Sequence, residues 1–368
     1  MTSTTNNSRI TPIGGELDIS LEDFLKPELN VGLTSGDKKS SLYLDTGRSA
    51  IYVALLNILE RGGKREAWLP RYCCPSVELP FSKLGFKLNY YSTGCDLNTP
   101  CGLPEKLTGE TFFFIHYFGK RNQALQKYLG VMKEQYSFFV IEDCVQALLT
   151  SDLGNYDYVV YSFRKFLPQP DGALLSYRFP LVECKLAPAD EAFVSRKLIG
   201  KLIRFHSKNT LFLDLFAFAE KMIDEFSEPR EISYLSKYLL TRANAEEISE
   251  KRRSNFFHLI KAIKQHSYDE ELFRPLFTSL KPGETPLGLP VVINPAFRDR
   301  LRAHLANQRI FCPIHWPLEI EKDHFWRNEL LLSHSLLTLP LDQRLDCPSL
   351  NYLLEKVTEF FNEAGVNN

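Results

Sequence analysis

Between two apolar runs lies Tyr161-Ser162-Phe163-Arg164-Lys165-Phe166-Leu167-Pro168, which carries Ser-x-x-Lys into a loop that contains proline and glycine. The preceding run, Tyr158–Tyr161, is typical of a buried strand. Another apolar run, Phe138–Ile141, leads directly into Glu142 and Asp143. In α/β sheets, ligands bind outside the carboxyl ends of the strands. An acid that ends one strand and a lysine that follows another therefore predict a site at the carboxyl edge of a parallel sheet.

The overall composition is that of a globular protein. A chain of 368 residues exceeds one ordinary core, so two domains are expected. Hydrophobic residues make up 44% and charged residues 24%, with a formal net charge of −1. This balance gives no reason to expect nucleic acid or an anionic membrane as a partner. The polar start, Met1–Ser8, lacks the apolar region of a signal peptide, and no run reaches the length of a membrane span.

The eight cysteines are scattered along the chain, and none has the spacing of a zinc ligand pair. Cys73 and Cys74 are adjacent, which is a poor geometry for a disulfide or for a shared metal. We therefore expect free thiols in a reducing cytoplasm and no metal site.

Short apolar strands alternate with amphipathic helices up to about residue 175, and each strand ends in a polar or glycine-containing turn. This alternation predicts an α/β fold with a mostly parallel sheet covered on both faces. We expect an N-terminal arm over residues 1–40, a large domain over 41–245 and a smaller C-terminal α/β domain over 246–368. The arm is expected to pack against another surface, for which a second subunit is one candidate.

Lys165 and Asp143 fit the chemistry of pyridoxal phosphate. A lysine that forms a Schiff base must lose its proton easily, which an apolar strand and the adjacent Arg164 favour. A carboxylate at the end of a neighbouring strand can hold the pyridine nitrogen protonated. An ordinary strand-end lysine and a helix-capping aspartate are the alternatives. The pairing favours Lys165 as the Schiff-base residue and Asp143 as the partner of the ring nitrogen.

Other segments offer groups for the rest of such a cofactor. Gln146 is predicted on a helix after Asp143, within reach of the phenolic oxygen, although a solvent-facing amide is an alternative. Thr46-Gly47-Arg48-Ser49 begins a helix and presents free backbone N–H groups to a phosphate. Ser162 can add a hydroxyl. Tyr72 or Cys74, after another strand, can lie against the ring, and both can equally be packing residues.

Six segments occur in the order found in the DegT/StrS group of fold-type-I pyridoxal-phosphate sugar aminotransferases. Glu142-Asp143-Cys144-Val145-Gln146-Ala147 is similar to the group's Glu-Asp-Ala-Ala-Gln-Ala, and Ser162–Lys165 resembles its Ser-Phe…Lys segment. The remaining four segments that resemble the group are Thr46–Ala50, Leu69–Cys74, His116–Gly119 and Leu337–Leu341.

The resemblance implies a cofactor, a reaction and an assembly. Pyridoxal 5'-phosphate would be bound covalently by Lys165, with Asp143 on the ring nitrogen and Gln146 on the phenolic oxygen. The backbone of Gly47, Arg48 and Ser49 would hold the phosphate, and Cys74 would occupy the place of the ring-stacking side chain. The implied enzyme is a homodimer with active sites at the interface. It would transfer an amino group from glutamate to a keto-sugar, expected to be nucleotide-linked, in amino-sugar or polysaccharide biosynthesis.

Three departures from the group's pattern leave alternatives open. The interval from Ser162 to Lys165 is shorter, Gln169–Ala173 replaces Gly-Glu-Gly-Gly, and Cys74 is not aromatic. A different pyridoxal-phosphate reaction on the same scaffold, such as a dehydratase or a non-sugar aminotransferase, is one alternative. A non-catalytic regulatory or binding protein is another. The pair His315-Trp316 is interpreted as packing in preference to substrate contact.

Overall fold

The computed structural model describes residues 12–29, 40–204, 210–225, 228–266, 268–319 and 324–366. In chain order, the strands are β1 Ile13–Gly14, β2 Ser40–Leu44, β3 Glu66–Pro70, β4 Lys87–Tyr91, β5 Thr111–Ile115, β6 Phe139–Asp143, β7 Tyr158–Ser162, β8 Ala173–Tyr177, β9 Phe273–Pro275, β10 Leu289–Ile293, β11 Ile310–Phe311 and β12 Leu336–Leu339. The helices are α1 Leu21–Leu25, α2 Gly47–Glu60, α3 Glu78–Lys83, α4 Gln123–Gln135, α5 Glu191–Ile203, α6 Leu211–Asp224, α7 Tyr234–Leu240, α8 Ala245–His266, α9 Pro295–Asn307, α10 Arg327–Ser335 and α11 Cys347–Glu363.

A seven-stranded sheet forms the large part of the molecule, with the strand order β2-β8-β7-β6-β5-β3-β4. The neighbours from β7 to β4 pair in parallel, whereas β8 is antiparallel to both β7 and β2. All strands except β8 therefore point the same way, and the prediction of a mostly parallel sheet is confirmed. The carboxyl ends of β2, β3, β5, β6 and β7 lie at one edge of this sheet.

Alternating side chains of the central strands bury the two faces of the sheet in different cores. Phe113 and Ile141 belong to the core that α2 covers, together with Leu55 of that helix. Phe112 and Val140, their neighbours in sequence, belong to the core that includes the α4 residues Leu125, Leu129 and Met132. The period of two places successive side chains on opposite faces. The sheet is covered on both faces, as the apolar strands predict.

The C-terminal part has its own antiparallel sheet, β12-β10-β9, and its own core. Helices α8, α9 and α11 contribute buried side chains to this core. Leu301 of α9, Leu353 of α11 and Leu259 of α8 are fully buried in it. Of the helices in the described ranges, none is both long enough and apolar enough to cross a membrane.

Residues 12–19, here called the N-terminal strap, pack within the same chain. Strand β1 pairs in parallel with β11, and Ile13 is buried in the C-terminal core. Leu17 and Ile19 are also buried. The rest of the predicted arm at residues 1–11 and 30–39 lies outside the described residues. The strap therefore joins the C-terminal part to the helices that follow the main sheet.

Replacing Gly14 by Ala tests how tightly the strap is held. Gly14 has φ +71°, and an added Cβ would lie 2.5 Å from the Phe311 carbonyl oxygen. Gly62 is the matched control, because it has φ +80° with no atom within 4 Å of an added Cβ. We expect Gly62→Ala to cost about 1 kcal/mol of unfolding free energy from the left-handed backbone. Gly14→Ala should cost about 2 kcal/mol more, because the strap must move.

Urea denaturation of the wild type and the two variants measures how much unfolding free energy each variant loses. Equal losses of unfolding free energy for Gly14→Ala and Gly62→Ala would show that the strap is not held against Phe311.

Candidate active site

A cavity of about 190 Å³ opens at the carboxyl edge of the main sheet, and we call it the edge cavity. It lies where β5, β6 and β7 end and α2 begins, since Ile115, Asp143, Ser162 and Gly47 all line it. Except for Ser49, the site residues predicted from the sequence line this cavity: Gly47, Arg48, Cys74, Asp143, Gln146, Ser162 and Lys165. The fold thus brings together groups that are more than a hundred residues apart in sequence.

Lys165 stands on a tight turn whose apolar residues are anchored in the core. The N–H groups of Phe166 and Leu167 donate to the Phe163 carbonyl at 3.0 and 2.8 Å. The side chains of Phe163, Phe166 and Leu167 are buried together in a core cluster on that side of the sheet. Because these three side chains point into the core, the turn presents Arg164 and Lys165 to the cavity.

Burial lowers the pKa of Lys165, and the positive charge of Arg164 acts in the same direction. The Asp143 carboxylate opposes this shift by favouring the protonated amine. The net decrease favours the unprotonated amine, which is the form that a nucleophile or a base requires.

Asp143 ends β6 and is buried in the wall of the edge cavity. Its Oδ1 accepts a hydrogen bond from the Val145 N–H at 2.7 Å. Burial raises the pKa of Asp143 to about 6, although this hydrogen bond and the charge of Lys165 favour its ionised form. The carboxylate is thus held near a cation, in a place where its charge is poorly solvated.

Gln146 is fixed at one end and unpaired at the other. Its Oε1 accepts from the Phe118 N–H at 2.8 Å, whereas the buried Nε2 has no hydrogen-bond partner among the described residues. The segment after Asp143 forms successive turns instead of the predicted helix, with the Ala147 N–H bonded to the Cys144 carbonyl. Because the bond from Phe118 fixes the amide orientation, Gln146 offers a donor to the cavity it lines.

The start of α2 forms another wall of the edge cavity. Thr46 caps the helix by accepting from the Ser49 N–H at 3.3 Å, and the N–H groups of Gly47 and Arg48 belong to its first turn. The Ser49 hydroxyl donates to Asp45 at 2.5 Å, away from the cavity-lining set. Ser49 therefore acts within the helix cap, whereas Thr46, the first residue of the predicted phosphate segment, lines the cavity.

Cys74 and Trp316 are the candidates for the ring face that line the cavity. Cys74 is half-buried, and its Sγ lies 3.0 Å from the Ser76 hydroxyl. Tyr72, the other residue considered from the sequence, lies behind Trp316, with 5.7 Å between ring centroids. Trp316 is 9% exposed and belongs to a core cluster, so the predicted packing role also holds. Its position in the cavity wall was not predicted.

A partly buried ion network extends behind Lys165. Arg164 Nη1 lies 2.9 Å from Glu220 Oε1, and Lys197 bridges Glu220 to Glu16 of the N-terminal strap. Lys201 also pairs with Glu16, at 3.1 Å. Although burial alone would raise it, the pKa of Glu220 is held below its usual range by Arg164 and Lys197. The sequence offers little signal for Glu220, which is one of three acids in a largely apolar helix.

A second cavity, of about 320 Å³, lies on the other side of Lys165, and we call it the strap cavity. Lys165 and Arg164 line both cavities, while Glu16 and Arg252 line only the strap cavity. Arg252 is buried; its Nε donates to Gln343 at 3.0 Å, and its Nη1 to the Leu287 carbonyl at 2.8 Å. Its Nη2 donates to none of the described residues. The strap cavity thus has a fixed cation with a free face.

His315 also lines the strap cavity. Its Nδ1 lies 2.9 Å from the Thr338 hydroxyl. Burial lowers the pKa of His315 to about 3, and the positive charge of Lys165 adds to this effect. The imidazole is therefore neutral at physiological pH.

His116, Glu142 and Cys144 lie close enough together to suggest a metal site, but hydrogen bonds occupy the first two. His116 Nδ1 accepts from the Asn122 N–H at 2.9 Å, so the proton is on Nε2, which lies 3.0 Å from Glu142. The other Glu142 oxygen accepts two backbone N–H bonds, from Gly154 and Asn155. These hydrogen bonds explain why the three residues lie together: they stabilise the ends of the strands.

No protein-family model and no curated protein sequence matches this chain. Solved structures do match its fold. The aminotransferase PseC of Helicobacter pylori, involved in pseudoaminic acid biosynthesis, is 13% identical with a TM-score of 0.64, over 96% of this chain and 100% of that one. A putative sugar aminotransferase of Streptococcus pneumoniae, in its PLP form, is 12% identical with a TM-score of 0.64, over 96% and 99%.

The aminotransferase TlmJ of Streptoalloteichus hindustanus is also similar, at 14% identity and a TM-score of 0.62, over 88% of this chain and 86% of that one. At these identities the likeness concerns the fold. The predicted fold-type-I architecture is confirmed, since this chain shares it with aminotransferases over nearly its whole length.

The raised pKa of Asp143 predicts a pH-dependent stability. A carboxyl group whose pKa rises from 3.8 to about 6 on folding stabilises the fold at low pH and loses that contribution as the pH rises to about 6. Asp143→Asn removes this loss. Without cofactor, the variant should gain up to about 3 kcal/mol of unfolding free energy over wild type between pH 4 and pH 7.5.

Urea denaturation at pH 4, 5, 6 and 7.5 measures the difference, with the exposed Asp214→Asn as control. A variant-minus-wild-type difference that is flat with pH would contradict the raised pKa of Asp143.

Proposed function

We propose that the protein is a pyridoxal 5'-phosphate-dependent aminotransferase with Lys165 as the covalent attachment point of the cofactor. The observation that carries the proposal is that Lys165, Asp143 and Gln146 line one cavity, and that the Gln146 Nε2 has no partner among the described residues. When bound, the cofactor supplies an aldehyde that condenses with amines and a pyridine ring that accepts electrons. Each of these three side chains suits a different atom of that molecule.

The residues of the edge cavity fit the ring of the cofactor. The buried Nε2 of Gln146 has no partner within the described ranges, and a phenolic oxygen would accept from it. The Asp143 carboxylate would favour a proton on the ring nitrogen, and that positive charge would in turn ease the burial of the carboxylate. The orphaned donor and the poorly solvated acid are thus both satisfied by one ligand.

The start of α2 suits the phosphate group. The N–H groups of Gly47 and Arg48 stand at the positive end of a 14-residue helix. Arg48 lines the cavity, and its buried Nε has no partner among the described residues, while its Nη2 is paired with Asp224 at 2.7 Å. Ser162 would add a hydroxyl from the end of β7. We assign Ser49 to the same helix start only through its backbone.

Lys165 would also move the proton of the reaction. The Lys165 amine would act as the base that takes a proton from the α-carbon of the donor, and as the acid that returns it. Its lowered pKa keeps more of the amine unprotonated and able to act as a base. Since Lys165 lines both cavities, it stands between the proposed cofactor site and the proposed substrate site.

Arg252 supports an amino-acid donor, and we propose glutamate. Its Nη2 faces no acceptor among the described residues, and a carboxylate in the strap cavity would pair with it. For the acceptor we propose a keto-sugar, expected to be nucleotide-linked, for amino-sugar or polysaccharide biosynthesis. The aminotransferase of similar fold that takes part in pseudoaminic acid biosynthesis supports this choice of substrate class.

We also propose a homodimer in the cytoplasm, with active sites at the interface. Leu21 and Leu25 of α1 are 77% and 82% exposed, and Tyr234 of α7 is 83% exposed. The two helices are linked by a hydrogen bond from the Tyr238 hydroxyl to the Phe24 carbonyl. This apolar exposure supports a subunit contact. The eight free cysteines support a reducing compartment.

Incubation of the purified protein with pyridoxal phosphate tests the proposal. The wild type should develop a visible absorbance band that glutamate shifts, and borohydride should fix the mass of the cofactor on Lys165. Lys165→Ala should show neither the band nor the fixed mass, because Lys165 is the one lysine among the described residues that line the edge cavity.

Lys197→Ala is not a suitable control, because it would break the ion network behind Lys165. Lys237 is exposed on α7, so Lys237→Ala is the control and should behave as wild type. If the band is absent, or if Lys165→Ala and wild type behave alike, the catalytic proposal fails.

Arg252→Gln tests the carboxylate site. The variant should need roughly tenfold to a hundredfold more glutamate for half-conversion of the bound cofactor, because a charge-assisted hydrogen bond is lost. Titration of the absorbance change with glutamate measures this concentration.

The neighbouring Arg253→Gln is the matched control. Arg253 also donates to backbone carbonyls, those of Lys281 and Glu284, but it does not line the strap cavity. The titration should be repeated with an alkylamine that lacks a carboxylate, for which Arg252→Gln and wild type should agree. An equal loss with both amines would show that Arg252 only supports the structure.

A further inference from the structure

We propose that Trp316 supplies the aromatic contact to the pyridine ring of the cofactor, in place of a side chain on the loop after β3. This inference rests on the proposed binding of pyridoxal phosphate in the edge cavity. Cys74 occupies the position on that loop, and its sulfur offers a small contact surface that is already shared with Ser76 at 3.0 Å. A pyridine ring in this cavity would therefore have no large side chain stacked on the face that points toward the loop after β3.

Trp316 is the one aromatic residue among the described side chains that line the edge cavity. The other apolar lining residues are aliphatic: Ile51, Val77, Ile115 and Val145. The indole reaches this wall from the segment after β11, whereas the groups proposed to hold the cofactor lie on β6, β7 and α2. A ring in the cavity would thus be held by two distant parts of the chain.

The indole is already ordered by its neighbours. The Tyr72 and Tyr117 rings lie 5.7 and 6.3 Å from it, centroid to centroid. The Tyr72 hydroxyl donates to the carbonyl of His315, the residue before Trp316. The His315 imidazole is in turn close to the Thr338 hydroxyl. Because these contacts fix the side chain before a ligand enters, little conformational entropy is lost on contact.

The electronic character of the two rings also favours this contact. A pyridine ring that keeps a proton near Asp143 is electron-poor, and the indole presents the most electron-rich face among the aromatic side chains. Such a contact stabilises the protonated ring. Trp316 would therefore bind the ring of the cofactor by direct contact and take no part in proton transfer.

Binding of pyridoxamine phosphate to the full-length protein, after its cofactor has been removed, tests this contact without turnover. Equilibrium dialysis should give a dissociation constant roughly threefold to tenfold higher for Trp316→Leu than for wild type. Trp316→Phe should lie between them, because it keeps a smaller ring. Trp326→Leu is the matched control; Trp326 lies outside the cavity wall, and its variant should match the wild type.

Fluorescence provides a second measurement, in which the Trp316 indole itself reports the contact. The chain has three tryptophans, so two Phe replacements leave one emitter in each variant. With Trp316 alone, pyridoxal phosphate should abolish nearly all emission, because the indole touches the ring. With Trp68 or Trp326 alone, clear emission should remain.

The outcomes separate this inference from the proposed function. If borohydride fixes the cofactor on Lys165 while Trp316→Leu and Trp326→Leu bind pyridoxamine phosphate equally well, the contact with Trp316 is refuted and the cofactor proposal stands. The same holds if the emission of Trp316 is quenched no more than that of Trp326. If nothing is fixed on Lys165 in the wild type, both proposals fall.

Discussion

The hydrogen bond from the Gly172 N–H to the Asp45 carbonyl, 2.6 Å long, holds the start of α2 next to the turn that carries Lys165. Asp45 directly precedes the cap of α2, and the Gly172 carbonyl accepts from the N–H of Phe163, at the start of the lysine turn. Gly172 adopts φ +122°, and an added Cβ would meet Phe163 and Ile232 at 2.9 and 3.0 Å. The lysine turn and the helix start are therefore held together as one rigid unit, on which the distance between lysine and phosphate would depend.

Charge compensation is the second condition for this arrangement. Arg164, Lys197 and Lys201 are buried or half-buried behind the turn, and unpaired they would be costly. Glu220 and Glu16 neutralise them, and Glu16 belongs to the N-terminal strap. The strap thus contributes to the electrostatics around Lys165 as well as to the wall of the strap cavity. A strap displaced from its place would leave the buried Lys201 without a carboxylate and Lys197 with Glu220 alone.

The features that were predicted correctly from the sequence are those that local patterns determine. Strands such as Thr111–Ile115 and Tyr158–Ser162 are continuous apolar runs, and parallel pairing then brings Asp143 and the lysine turn to one edge. The predicted helix after Asp143 was wrong, because backbone bonds to Cys144 and Ala147 close turns there. The positions of Trp316 and Glu220 depend on how distant segments pack, and no local pattern encodes this.

Unpaired polar groups bear on whether the site still binds a ligand. Gln169 is also buried, and neither of its amide atoms has a partner in the part of the chain that the structure describes. It does not line the edge cavity, so an orphaned amide alone has little meaning. Gln146 differs because its carbonyl end is fixed by Phe118 and its free N–H shares a wall with Asp143 and Lys165. An unpaired buried donor costs about 1–3 kcal/mol. A ligand in the edge cavity that accepts from this N–H would remove that cost.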